Sequence, residues 1–123
     1  MVTPARLRAL ALALPDTTEV PHMERTAYRT PRKIFATVPP DGQTANLLLV
    51  PELQAAVIEA LPDAFAPVPG GWGRMGFTTV DLRVVKETDL RRVLGEAHAL
   101  ASEPPKKKSK ATSAKRSGKK SSS

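Results

Sequence analysis

TAYRTPRKIFATVPPDGQTANLLLVP, residues 26–51, is the stretch whose reading decides the fold. Thr26–Arg29 reads as a short strand, and Pro31-Arg32 supplies a turn. Lys33–Val38 (KIFATV) is β-branched and aromatic enough for a second strand. Pro39-Pro40-Asp41-Gly42 is a strong turn signal, and Thr44–Val50 (TANLLLV) follows as a third strand. Breaks this short leave no room for a crossover, so the strands form an antiparallel meander.

Helices flank the meander. On its N-terminal side Pro4 can occupy the first turn of a helix with Thr3 as N-cap. Leu7, Leu10, Ala11 and Leu14 then form one apolar stripe until Pro15, which predicts a helix over 4–14. On the C-terminal side Pro51 opens a second helix, with Leu53, Val57 and Leu61 on a wide apolar face and Pro62 as its stop. Residues 62–73 are rich in Pro and Gly and read as loop, with room for a short edge strand near Phe65. Arg74–Leu82 resumes a strand. A last helix over 88–101 buries Leu90, Val93, Leu94, Ala97 and Ala101. The expected order is α-β-β-β-α-β-α, an α+β domain with its helices on one face of an antiparallel sheet.

Charge divides the chain at Pro104-Pro105. Residues 1–103 hold 11 of the 19 Lys and Arg and all 12 Asp and Glu, for a formal charge of −1. Residues 104–123 hold the other eight cations, no acid and no large apolar side chain. The reading is therefore a folded domain over 1–103 and a disordered, Lys-rich tail over 104–123. The absence of Cys excludes disulfides, thiolate metal sites and a cysteine nucleophile. No apolar run is long enough for a membrane span. The opening residues faintly resemble a signal peptide, but their apolar stretch is short and no small-residue cleavage site follows, so they are read as helix. A cytoplasmic monomer is expected.

Several phrases taken in succession resemble one family. They are Ala11-Leu12-Ala13-Leu14-Pro15, Pro21-His22, Thr26-Ala27-Tyr28-Arg29 and Lys33-Ile34-Phe35-Ala36. Pro69-Gly70-Gly71-Trp72-Gly73-Arg74 and Thr78-Thr79-Val80-Asp81-Leu82 complete the series. Over residues 5–102 the chain resembles the MmcQ/YjbR family, which carries a DNA-binding label. That resemblance implies a compact CyaY-like (frataxin-like) α+β domain and a nucleic-acid role. Phe77 stands where the family often has Trp, and the basic tail lies outside the resemblance. The acidic first helix by which frataxin-like proteins bind iron is not carried over, because Pro4–Leu14 has no acid and has Arg6 and Arg8.

Three groups of residues are candidates for function. In the tail, Lys106, Lys107, Lys108, Lys110, Lys115, Arg116, Lys119 and Lys120 can follow a phosphate backbone, with counterion release driving association. The bland alternative is a solubilising polycation. Nothing in it can read base edges, so any binding is non-sequence-specific. In the hairpin, Arg25, Arg29, Arg32 and Lys33 can present a basic face near His22, with Tyr28 able to stack. A solvated sheet surface partly neutralised by Glu19 and Glu24 is the competing reading, and the body charge of −1 favours it. In the Gly-rich loop, Trp72 with Arg74 beside it could form a stacking platform. The preferred reading of Trp72 is a ring that closes one end of the core. The loop lacks the Lys-Ser/Thr of a phosphate loop and does not clearly open a helix.

His22 and His98 are far apart in sequence, and no carboxylates have metal-ligand spacing around them. No catalytic set is assigned, and no metal or cofactor is expected. The leading expectation is a non-catalytic protein that binds DNA or another polyanion. The alternative is a protein- or small-ligand-binding module with an incidental tail, whose cleft would lie between the Trp72 loop and the Tyr28–Phe35 hairpin.

Overall fold

The computed structural model describes residues 1–104. Helix α1 runs Pro4–Leu12, with Thr3 Oγ1 accepting from the Arg6 amide at 3.1 Å. It stops two residues short of expectation, since Pro15 disfavours helical backbone at Leu14, whose amide turns instead to the Ala11 carbonyl. Strand β1 (Thr18–His22) was not separated as a strand in the sequence. It carries Pro21, which is tolerated because β1 is an edge strand. A two-residue turn with Met23 at φ +59° leads into β2 (Arg25–Arg29). Then come β3 (Ile34–Val38), β4 (Thr44–Leu47), α2 (Pro51–Ala60), β5 (Phe65–Pro67), α3 (Gly71–Arg74), β6 (Thr78–Asp81) and α4 (Glu87–Ser102).

The α-β-β-β-α-β-α skeleton is present, with β1, β5 and the single-turn α3 added to it. All neighbouring strands are antiparallel, in the order β1-β2-β3-β4-β6-β5. Register sorts the side chains into two faces. On one, Tyr28, Ala36, Leu47 and Thr78 stand in a cross-strand row, and Ala45, Val80 and Phe65 form another. All seven are buried, and the six apolar ones join Leu7 and Leu10 of α1, Val57 of α2 and the stripe of α4 in one core. On the other face the row is Val20, Ala27, Thr37, Asn46, Thr79 and Ala66. Among the described residues no long helix covers it.

A bulge adjusts this alternation. Tyr28 faces Ala36 while Arg29 faces Ile34, so Phe35 is the extra residue. Both Phe35 and Ala36 are thereby buried, and the Phe35 ring meets His98 of α4 edge-on at 5.4 Å. Thr30 then fastens the β2–β3 turn to α4. Its hydroxyl donates to the Ala101 carbonyl at 2.9 Å and accepts from the Arg32 and Lys33 amides. Among the described residues no helix is long and apolar enough to cross a membrane.

Candidate functional site

The uncovered sheet face holds a groove of about 330 Å³. Its floor is Thr37 and Asn46, with Ile34, Leu48 and Val68 along the sides and His22 and Arg25 at the β1–β2 end. Trp72 and Phe77 close the other end. Arg25 lies along the sheet with its Nε donating to Thr37 Oγ1 at 3.1 Å. Asn46 Oδ1 accepts from Thr79 Oγ1 at 2.8 Å, so its amide nitrogen has no protein partner among the described residues. No carboxylate lines the groove. The volume sits at the small end of the ~300–1,000 Å³ typical of ligand pockets.

Trp72 overturns the preferred reading of it. The residue is 61% exposed, not a plug of the core. The Gly-rich segment also opens a helix, the single turn of α3, although it still lacks phosphate-loop chemistry. Its backbone is closely held. A Cβ on Gly73 would lie 1.9 Å from the Val68 carbonyl oxygen, so only glycine allows that approach. Gln54 of α2 donates from one amide nitrogen to both the Gly73 and Phe77 carbonyls, each at 2.9 Å. Phe77 meets the indole edge-on at 5.1 Å and 85°, an arrangement aromatic pairs favour. The indole is thus displayed by a pinned loop. Arg74 is exposed but does not line the groove.

Tyr28 is the second correction. It is 3% exposed and points into the helical side, where its hydroxyl donates to the Glu19 carboxylate at 3.0 Å. It therefore cannot stack on a ligand in the groove, because it lies on the opposite face from Thr37 and Asn46. Burial and then the bond to Glu19 push the phenol up to about 12. A raised phenol pKa stabilises the fold below the unfolded value near 10, and that stability is lost as pH climbs toward the folded value. We expect unfolding free energy to fall between about pH 10 and pH 12, and Tyr28→Phe to lack this component of the loss. Denaturant unfolding of both proteins across that range checks it; parallel curves would contradict the assignment.

The hairpin cations have separate environments. Arg29 folds back, with Nε on the Thr30 carbonyl at 3.0 Å and Nη2 on that of Pro31 at 3.4 Å. Arg32 and Lys33 are exposed at the turn. None of these three, nor Arg25, Arg74 or Lys86, forms an ion pair among the described residues. The remaining arginines do. Arg6 and Arg91 share Glu87, Arg8 binds Glu19, Arg83 binds Asp81 and Arg92 binds Asp89. Hydrogen bonding from Arg6 holds the Glu87 carboxyl below its ordinary range, and Arg83 does the same to Asp81. Glu19 is engaged by Arg8 and Tyr28, while Glu24 lies exposed in the β1–β2 turn beside Arg25 without an ion pair among the described residues.

His98 bonds the Pro15 carbonyl at 2.7 Å and sits on the helical side, apart from His22 in the groove. Among the described residues there is no group of three or more His, Cys, Asp or Glu that could hold a metal. The tail residues Lys106, Lys107, Lys108, Lys110, Lys115, Arg116, Lys119 and Lys120 lie outside the described residues. The groove as a whole was only half legible: Trp72 and the hairpin were singled out, while Thr37, Asn46, Leu48 and Val68 were not.

A YjbR family model matches residues 12–100. Among solved structures, the Deinococcus radiodurans protein DR2400, assigned to domain DUF419, superposes with a TM-score of 0.65 at 23% identity. That match covers 76% of this chain and 74% of the other. A protein from Pseudomonas syringae gives a TM-score of 0.57 at 14% identity, over 78% of this chain and 97% of its own. At these identities the two structures speak for the fold alone. No curated protein matches the sequence.

Proposed function

The chain belongs to the YjbR family, and from that premise we propose that it is a non-catalytic DNA-binding protein without sequence specificity. In this reading the tail cations and the β2–β3 hairpin contact phosphates. The observation that carries it is the division of charge. The arginines of α1, α4 and the turn after β6 are consumed by carboxylates, while Arg25, Arg29, Arg32 and Lys33 are not. A body charge near zero therefore conceals a locally basic hairpin. Eight further cations begin a few residues after α4, whose Ala101 is tied to that same hairpin through Thr30.

A small-ligand module is the second reading, and the groove beside Trp72 favours it. The two differ in how binding responds to salt, because neutralised phosphates release counterions at ~0.9 per contact. Arg32→Gln with Lys33→Gln changes only exposed side chains and leaves Thr30 in place. We expect the slope of log affinity for duplex DNA against log salt to become shallower by about 2. An unchanged slope would remove the hairpin from the interface.

A further inference from the structure

We infer that the groove receives an unpaired base of single-stranded DNA, stacked on Trp72; this rests on the nucleic-acid reading above and names the form of DNA that reading leaves open. The first support is the display of the indole. A mobile surface loop could fold its Trp against the protein. This one is prevented by the Gly73 approach to Val68 and by the two bonds from Gln54. Phe77 fixes the ring's tilt as well. Holding a large apolar face ready in this way avoids the ordering cost of binding.

The lining supplies the second support. Ile34, Leu48, Val68 and Phe77 make apolar walls, and the Asn46 amide nitrogen is a donor without a protein partner among the described residues. A flat heterocycle with acceptors along its edge suits such a slot. Charge is the third. His22 and Arg25 stand at one end with no carboxylate beside them in the lining, where a phosphate attached to the base would lie. An apolar ligand would make no use of Arg25, and a bare inorganic anion would make none of the indole face. A nucleotide uses both. In a duplex the base faces are covered by their neighbours, so the base must come from a single strand. A strand rather than a free nucleotide suits the hairpin as well, because Arg32 and Lys33 stand exposed outside the groove lining, where further phosphates of the same strand can meet them.

Trp72 is the sole tryptophan, so intrinsic fluorescence of the full chain reports on this site alone. We expect a ten-residue oligothymidylate to quench it. We expect Trp72→Leu to bind a labelled form of that oligonucleotide about 5- to 150-fold more weakly, the range for losing one base–aromatic stack. Trp72→Phe should retain part of the affinity, and both variants should keep the wild-type duplex affinity and salt slope. Since the indole is mostly exposed, neither change removes core packing. If the oligonucleotide binds without quenching and Trp72→Leu binds equally well, the groove assignment is wrong while DNA binding stands. If neither single strand nor duplex binds, the DNA reading itself fails and takes this inference with it. If thymidine monophosphate quenches at the same concentration as the oligonucleotide, the occupant is a free nucleotide and the single-strand assignment is overturned.

Discussion

Replacing the eight cations Lys106, Lys107, Lys108, Lys110, Lys115, Arg116, Lys119 and Lys120 by Gln is expected to abolish most of the salt dependence of duplex binding. If most of them meet phosphates, the log–log slope loses roughly 5 to 7. A fourfold rise in salt, from about 50 to 200 mM, should then weaken the native chain by roughly 10³- to 10⁵-fold. The neutralised variant keeps two exposed hairpin contacts, Arg32 and Lys33. With only these, the same rise should weaken it by roughly tenfold. The substitutions touch no residue of the described domain, so circular dichroism and thermal unfolding should not change. A neutralised chain that binds as tightly, with the native slope, would place the phosphate contacts on the folded body and leave the tail without this role. A variant that loses affinity but keeps its slope would point to non-electrostatic tail contacts, again against the mechanism.

Physical locality decided what the sequence made visible. The meander was legible because Pro31, Pro39, Pro40 and Gly42 punctuate β-branched runs, and α4 because its apolar stripe repeats at helical spacing. Strand β1 was not, since Pro21 weakens its pattern and Met23 takes the positive φ where Gly or Asn would have advertised a turn. Helix α3 was hidden for a related reason. Gly71-Trp72-Gly73-Arg74 has poor helix propensity, and its turn is held by Gln54, which lies about one helix away in sequence.

The exchange of roles between Tyr28 and Trp72 shows where local reasoning ends. Alternation correctly put Tyr28 opposite Arg25, Ala27 and Arg29. It could not say which side the helices would cover. That depends on Ala36, Leu47, Val80 and the stripe of α4 meeting across the sheet, which is a tertiary outcome. Once Tyr28 is turned inward, the basic side becomes the open one, and its groove gathers residues from His22 to Phe77. The isolated ring expected in the core is the one left in solvent.

Gly76→Ala should be the most damaging single substitution at this site, and it tests the loop that presents Trp72. Gly76 sits at φ +112°, and a Cβ there would lie 2.0 Å from the Leu49 carbonyl oxygen, with the Leu49 and Val50 carbonyl carbons at 2.8 and 3.0 Å. All three are backbone atoms at the start of α2, so no side chain can swing away. Backbone strain of ~1–3 kcal/mol and overpacking of ~1–3 kcal/mol combine to about 2–6 kcal/mol. Against a total stability of roughly 5–15 kcal/mol, that is a large share. At ~4–8 °C per kcal/mol the melting temperature should fall by more than about 8 °C. Two other glycines calibrate the result. Gly70→Ala keeps the backbone strain of φ +80° and ψ −154° but meets nothing within 4 Å, so its loss should stay within the ~1–3 kcal/mol of strain alone. Gly95→Ala, inside α4 with open space around it, should gain about 0.5–1 kcal/mol. Equal losses at Gly70 and Gly76 would mean that the loop does not press on the α2 junction. The predicted ordering would instead tie the groove's aromatic wall to the same contacts that hold the segment before β6 against the start of α2, so that a change in the loop's stability is also a change in where Trp72 stands.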